Sequence, residues 1–195
     1  MTFDDLPLPT IGIAAAALVG LALIAWLILI WRRYRVRRAL VARFESVSFA
    51  LLRDVLLPDG AGGNYHLDYL LLTPTGLLVV DLRDVPGVIF GSEQMSEWTV
   101  MDRQRRTTFL NPLGPLYDRI AIVRALAGED VPVDGRVVFS ERSSFPKGRP
   151  PFVTRLGSIA AEFPAAAVAG GVPPAYQSAW DKVTAAATPS PMKRR

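Results

Sequence analysis

The sequence predicts an α/β domain carried behind an N-terminal transmembrane helix. Three observations lead there. Residues 11–31 contain no charged side chain. Two short apolar runs, 67–72 and 77–82, flank Thr73-Pro74-Thr75-Gly76. Helix-like and strand-like segments then alternate as far as Val183.

The N-terminal run, Ile11 to Trp31, reaches roughly 30 Å at about 1.5 Å per residue, the depth of bilayer hydrocarbon. Trp31 is placed as an interfacial anchor. A cleavable signal would begin with basic residues and have a shorter core, whereas Asp4 and Asp5 open this one. Arg32, Arg33, Arg35, Arg37 and Arg38 follow the run. By the positive-inside rule, residues 1–10 are then extracytoplasmic, 11–31 the span, and 32–38 a basic segment against anionic lipid. The rest is cytoplasmic, with the lipid bilayer of a bacterial inner membrane as the expected location. The alternative for the apolar run is a buried core helix.

At 195 residues the chain is long enough for one domain with a core plus an accessory segment. The absence of cysteine excludes disulfides and thiolate zinc sites. The net charge of +4 belongs to the ends. Without the five arginines at 32–38 and Lys193-Arg194-Arg195, 14 of the 22 basic residues remain, against 16 of the 18 acidic ones. A folded part with a net charge near −2 argues against strong nonspecific binding to phosphate backbones.

From Ala39 to Leu57 the residues Leu40, Phe44, Val47, Leu51 and Val55 step at helical spacing, which predicts an amphipathic helix with Glu45 on its flank. Pro58 to Gly63 is a loop without the lysine of a phosphate cradle. Short strands are expected at 88–90 and 98–101, with Arg103, Arg105 and Arg106 as solvated hairpin residues or phosphate contacts. Asn111-Pro112 introduces a helix over Leu116–Ala127 that stops at Gly128. A core strand at 136–139 and a proline-rich loop at 140–151 follow, then a mixed strand and alanine-rich helix over 152–169. A short helix carries Tyr176, Trp180 and Val183, and the chain from Thr188 onward reads as disordered. The domain is thus expected over 39–160, with a C-terminal helical segment and tail over 161–195.

The runs around Pro74-Thr75 read as a buried hairpin. A two-residue loop pairs Thr73 with Gly76 and sets Asp68 opposite Asp81 and His66 opposite Arg83. A bulge at Gly76 would shift this register by one. Two facing carboxylates are destabilising unless compensated. One solution is a divalent cation, for which oxygen ligation selects Mg2+ or Mn2+. The other is that each aspartate pairs with an arginine and is structural.

His66-Leu-Asp68, the Thr-Pro-Thr-Gly-Leu turn, Val80-Asp81-Leu-Arg83, Gly87-Val-Ile-Phe-Gly91, Trp98 and Phe109-Leu-Asn111-Pro112-Leu113 occur in that order. The series resembles the nuclease-related domain (NERD) family of the restriction-endonuclease-like PD-(D/E)-x-K superfamily, over about residues 40–126. The resemblance implies a mixed sheet flanked by helices and metal-dependent phosphodiester hydrolysis, most plausibly of DNA. It implies Asp68 and Asp81 as metal ligands, the Leu82 carbonyl as a third, Glu45 contributing from its helix, and residue 83 beside the attacking water. This chain departs from the pattern at three positions. Phe44 precedes Glu45 where the family has glycine. Arg83 replaces lysine, and arginine orients or neutralises but does not accept a proton. Pro115 replaces a glutamine, removing an amide side chain and a backbone donor. Imidazole titrates near physiological pH, so His66 could serve as the base, or be simply a strand residue. The alternative function is therefore a catalytically degenerate domain acting as a membrane-tethered binding module or scaffold. The sequence has no Gly-x-Ser-x-Gly elbow, dinucleotide fingerprint or His-Glu-x-x-His, so other enzyme classes have no support.

Overall fold

The computed structural model describes residues 8–168 and 170–191, with side chains described for 20–31, 38–167 and 170–191. The expected extracytoplasmic residues 1–7, the side chains of 11–19 and 32–37, and residues 192–195 lie outside that description. In chain order the elements are α1 (Leu8–Val47), β1 (Ala50–Pro58), β2 (Asn64–Thr73), β3 (Gly76–Arg83), β4 (Gly87–Phe90), β5 (Glu97–Asp102) and β6 (Arg105–Leu110). There follow α2 (Leu113–Ala127), β7 (Val133–Phe139), β8 (Ser143–Ser144), β9 (Val153–Arg155), α3 (Ile159–Glu162), α4 (Pro174–Ala186) and β10 (Thr188–Pro189). Two compact units divide between Val41 and Ala42.

The first unit is helical from Leu8. Its large apolar side chains from Leu21 to Trp31 are all exposed, from 45% at Ile30 to 64% at Leu21. Among the described residues, no helix is long and apolar enough to cross a membrane. The span expected over 11–31 therefore finds no support there.

The second unit is α/β, with two sheets flanked by helices. The larger sheet has strand order β10-β1-β2-β3-β7-β9, in which β3, β7 and β9 run parallel and the other neighbours antiparallel. The smaller has the order β6-β5-β4-β8. The helix expected over 39–57 is corrected. It ends at Val47, where Ser48 Oγ donates to the Phe44 carbonyl at 2.8 Å, and 50–58 form β1. Leu51, Leu52, Val55 and Leu57 fit a buried strand as well as a helix face. The ladder from Ala50↔Leu72 to Pro58↔Asn64 decides between them.

Pleat alternation gives β3 two buried faces, as expected for a central strand with parallel partners. Leu77 and Val79 share a core with Leu70, Leu72, Val137 and helix α2. Leu71, Leu78 and Val80 are also buried but outside that core, and nearby Phe44 meets Tyr69 at 4.9 Å. Gly135 lets α2 approach, because a Cβ there would lie 2.6 Å from Ile120 Cδ1. Helix α2 starts at Leu113, three residues before expectation, and this explains Pro115. It stands in the first turn, where a backbone N–H has no helical partner to lose.

Asn111 ties the start of α2 to the loop before β5. Its Nδ2 donates to the carbonyls of Met95 (2.8 Å), Glu93 (3.0 Å) and Ser92 (3.4 Å), and its Oδ1 accepts from Leu113 N–H (2.9 Å). Trp98 Nε1 donates to the same Ser92 carbonyl at 3.0 Å. A Cβ at Gly91 would lie 2.3 Å from the Trp98 ring, so glycine there makes room for the indole. Of the tail expected to be disordered, Thr188 and Pro189 instead form β10, pairing with Leu56 and Val55, while residues 192–195 lie outside the described residues.

Candidate active site

The hairpin register is the one the two-residue turn implies. It runs from Thr73↔Gly76 to Tyr69↔Val80 and stops. One step further, Asp68 would face Asp81 in the ladder. There Asp68 Oδ2 instead accepts the N–H of Leu82 at 2.9 Å. Leu82 thus meets Asp68 through its amide. On the other side of β2, Arg53↔Tyr69 and Val55↔Leu67 pair, but the intervening Asp54 and Asp68 do not. Asp54 is left-handed (φ 51°), a conformation uncommon outside glycine though more accessible to aspartate than to most residues.

Two clusters grow from this point. In one, Asp81, 1% exposed, presents Oδ2 to Arg83 Nη2 at 2.7 Å and to Arg119 Nη1 at 3.5 Å. Its Oδ1 is buried without a hydrogen-bond partner, as is Arg83 Nε. Arg119 comes from α2, and its Nε donates to the His66 carbonyl at 2.7 Å, filling a β2 acceptor beyond the end of the β2–β3 ladder. In the other cluster, His66 Nδ1 lies 3.5 Å from Asp68 Oδ1 and Nε2 lies 3.7 Å from Asp54 Oδ1. One ligand atom from each of Asp54, His66 and Asp68 lies within 4.8 Å of the other two.

Of the residues expected from the sequence, Asp68, Asp81, Leu82, Arg83 and His66 therefore occupy one neighbourhood at the diverging ends of β2 and β3. Glu45, in the last turn of α1, is exposed, and the carboxylate–imidazole group does not include it. Arg103, Arg105 and Arg106 are exposed around the β5–β6 turn. Sequence reasoning missed two residues. Asp54 was hidden because its segment read as helix, and Arg119 because only the docking of α2 brings it to β2 and β3. The chemistry available is electrostatic: three buried or half-buried carboxylates, two guanidiniums and one imidazole, with several polar atoms unpaired.

Residues 31–140 match the family model described as nuclease-related domain (NERD). The stretch whose motifs carried the resemblance lies inside this range. An uncharacterized protein of Bacillus anthracis is 23% identical over 107 residues, covering 55% of this chain and 50% of that protein. The chain thus spans about half the length of that curated relative. No solved structure matches.

Proposed function

Because the chain belongs to the nuclease-related domain family, matched over more than half its length, we propose that it hydrolyses phosphodiester bonds, with DNA as the substrate and Mg2+ or Mn2+ held by Asp68 and Asp81. The observation that carries this reading is the buried Asp81 flanked by Arg83 and Arg119 where β2 and β3 part, with Asp68 held on the amide of the next residue, Leu82. The donor set fits a hard cation in one respect that matters: Asp81 Oδ1 is buried and lacks a partner. Such a cation, when bound, polarises a phosphoryl group and lowers the pKa of a bound water. Arg83 and Arg119 hold the other Asp81 oxygen, and the half-exposed Arg83 can also balance charge on a phosphate. Neither can take a proton.

A second reading rests on the same 2.7 Å contact. An aspartate held by arginine is a finished ion pair, which favours a degenerate binding module that keeps the fold. Incubating the full chain with supercoiled plasmid and Mg2+ or Mn2+, beside Asp81→Ala, separates the two. Nicking abolished by the substitution supports the nuclease. No nicking from either protein, across metals and pH, leaves the module. Activity that appears only in Arg83→Lys assigns the loss to that residue.

We further propose that the chain is anchored in a bilayer by α1, with its N-terminus outside and the second unit cytoplasmic. The exposed apolar side chains from Leu21 to Trp31 support this, since a helix apolar on all sides needs lipid or protein around it. The arginines that follow set the orientation. Release of the chain from membranes by alkaline carbonate would overturn the anchor.

A further inference from the structure

We propose that Asp54, His66 and Asp68 form a binding site for one divalent transition-metal ion of the Mn2+, Co2+ or Zn2+ class. The site shares Asp68 with the pair assigned to hydrolysis. It rests on Asp54 and His66, which take no part in that reading.

The first argument is distance. His66 Nδ1 lies 3.5 Å from Asp68 Oδ1, and Nε2 lies 3.7 Å from Asp54 Oδ1. Both separations are too long for hydrogen bonds. An imidazole gives one ion one nitrogen, so these separations belong to alternative donors of the same ring; what gathers the group is that one ligand atom from each of the three residues lies within 4.8 Å of the other two. The second is an unmet need. His66 Nε2 is buried, has no hydrogen-bond partner and points into the cluster beside Asp54. The third is backbone geometry. The left-handed Asp54 sits at the missing rung of the β1–β2 ladder, so its carboxylate shares that gap with Asp68. Asp68 is fixed through Oδ2 by the Leu82 amide, which sets the orientation of Oδ1 toward the imidazole. Arg53, on an exposed side chain, places Nε 3.9 Å from Asp54 Oδ2. A nitrogen ligand with two carboxylates favours Mn2+, Co2+ or Zn2+ over Mg2+.

The test is calorimetric titration of the chelator-stripped full chain with Mn2+, Co2+ and Zn2+, beside Asp54→Asn, His66→Gln and Asp81→Asn. The expected result is one Co2+ or Zn2+ site in the parent chain, weakened at least tenfold in Asp54→Asn and His66→Gln but not in Asp81→Asn, whose carboxylate lies outside this group. Affinity unchanged in Asp54→Asn and His66→Gln, or no binding by the parent, overturns the proposal. Loss of binding only in Asp81→Asn also overturns it, and places the ion with the hydrolytic pair instead. Because the chain has a single histidine, NMR gives a readout without mutation. Mn2+ should broaden, and Zn2+ should shift, the His66 ring protons at one equivalent. Ring protons left unmoved by all three metals overturn the site. Plasmid nicking is read separately, so either reading can fail without the other.

Discussion

Asp81 and Arg83 lie on the same strand two residues apart, with Oδ2 and Nη2 separated by 2.7 Å, and the aspartate is almost wholly buried. The strand thereby neutralises its own buried charge. Arg119 adds a second guanidinium from another element and binds the His66 carbonyl as well. One arginine thus fastens α2 to both β2 and β3.

Replacing Arg119 with methionine should cost about 2–3 kcal/mol, because a buried carboxylate keeps only one partner and a β2 carbonyl loses its donor. Urea unfolding measures it. In a double-mutant cycle, Asp81→Asn should recover part of the loss. Additivity of the two substitutions would show that Arg119 acts only through His66.

Gly135→Ala should destabilise by about 1–3 kcal/mol through overpacking against Ile120 and Leu116. Adding Ile120→Ala should restore part of it, since the far end of that side chain is what the new methyl meets. An unchanged unfolding midpoint in Gly135→Ala would mean that α2 shifts freely on the sheet.

Asn111→Ala removes a donor shared by three carbonyls and the acceptor of the Leu113 amide. A loss of about 2 kcal/mol is expected. The sharper readout is amide exchange. Protection at Leu113 should fall far more than in β2 or β3.

The Tyr117 phenol donates to Glu93 Oε1 at 2.8 Å. Its pKa is pushed up to about 12, first by burial and then by the hydrogen bond and charge of Glu93. A raised folded-state value means that the unfolded chain gives up this proton first. The contribution is fully present below about pH 10 and is lost as pH rises from there toward 12. Stability measured at pH 9 and 11.5 should fall more in the parent chain than in Tyr117→Phe.

The hairpin and its register were legible because turn chemistry and apolar runs are local signals. Pro74-Thr75 fixed the pairing of Thr73 with Gly76, and the rest followed by count. That Asp68 and Asp81 lie side by side at the end of the hairpin was legible, but the end of the ladder was not. Whether a rung closes or splays depends on Arg119 and Leu82 competing for its polar groups. Ala50–Pro58 was misread because the spacing of Leu51 and Val55 satisfies two periods, and only the partner strand chooses between them. Asp54 was lost with that misreading. The helix start at Leu113 puts Pro115 in the first turn, where its missing backbone N–H costs the helix nothing.

The closing strand reaches further than its two rungs suggest. Besides Pro189 beside Val55, the amide of Ser190 donates to the Asp54 carbonyl at 2.8 Å. The segment Thr188–Ser190 therefore braces the left-handed Asp54 backbone that carries the proposed metal ligand. Shortening the chain at Ala187, or a bulky fusion at the terminus, would relax that backbone from a distance and blunt cation affinity without touching any ligand.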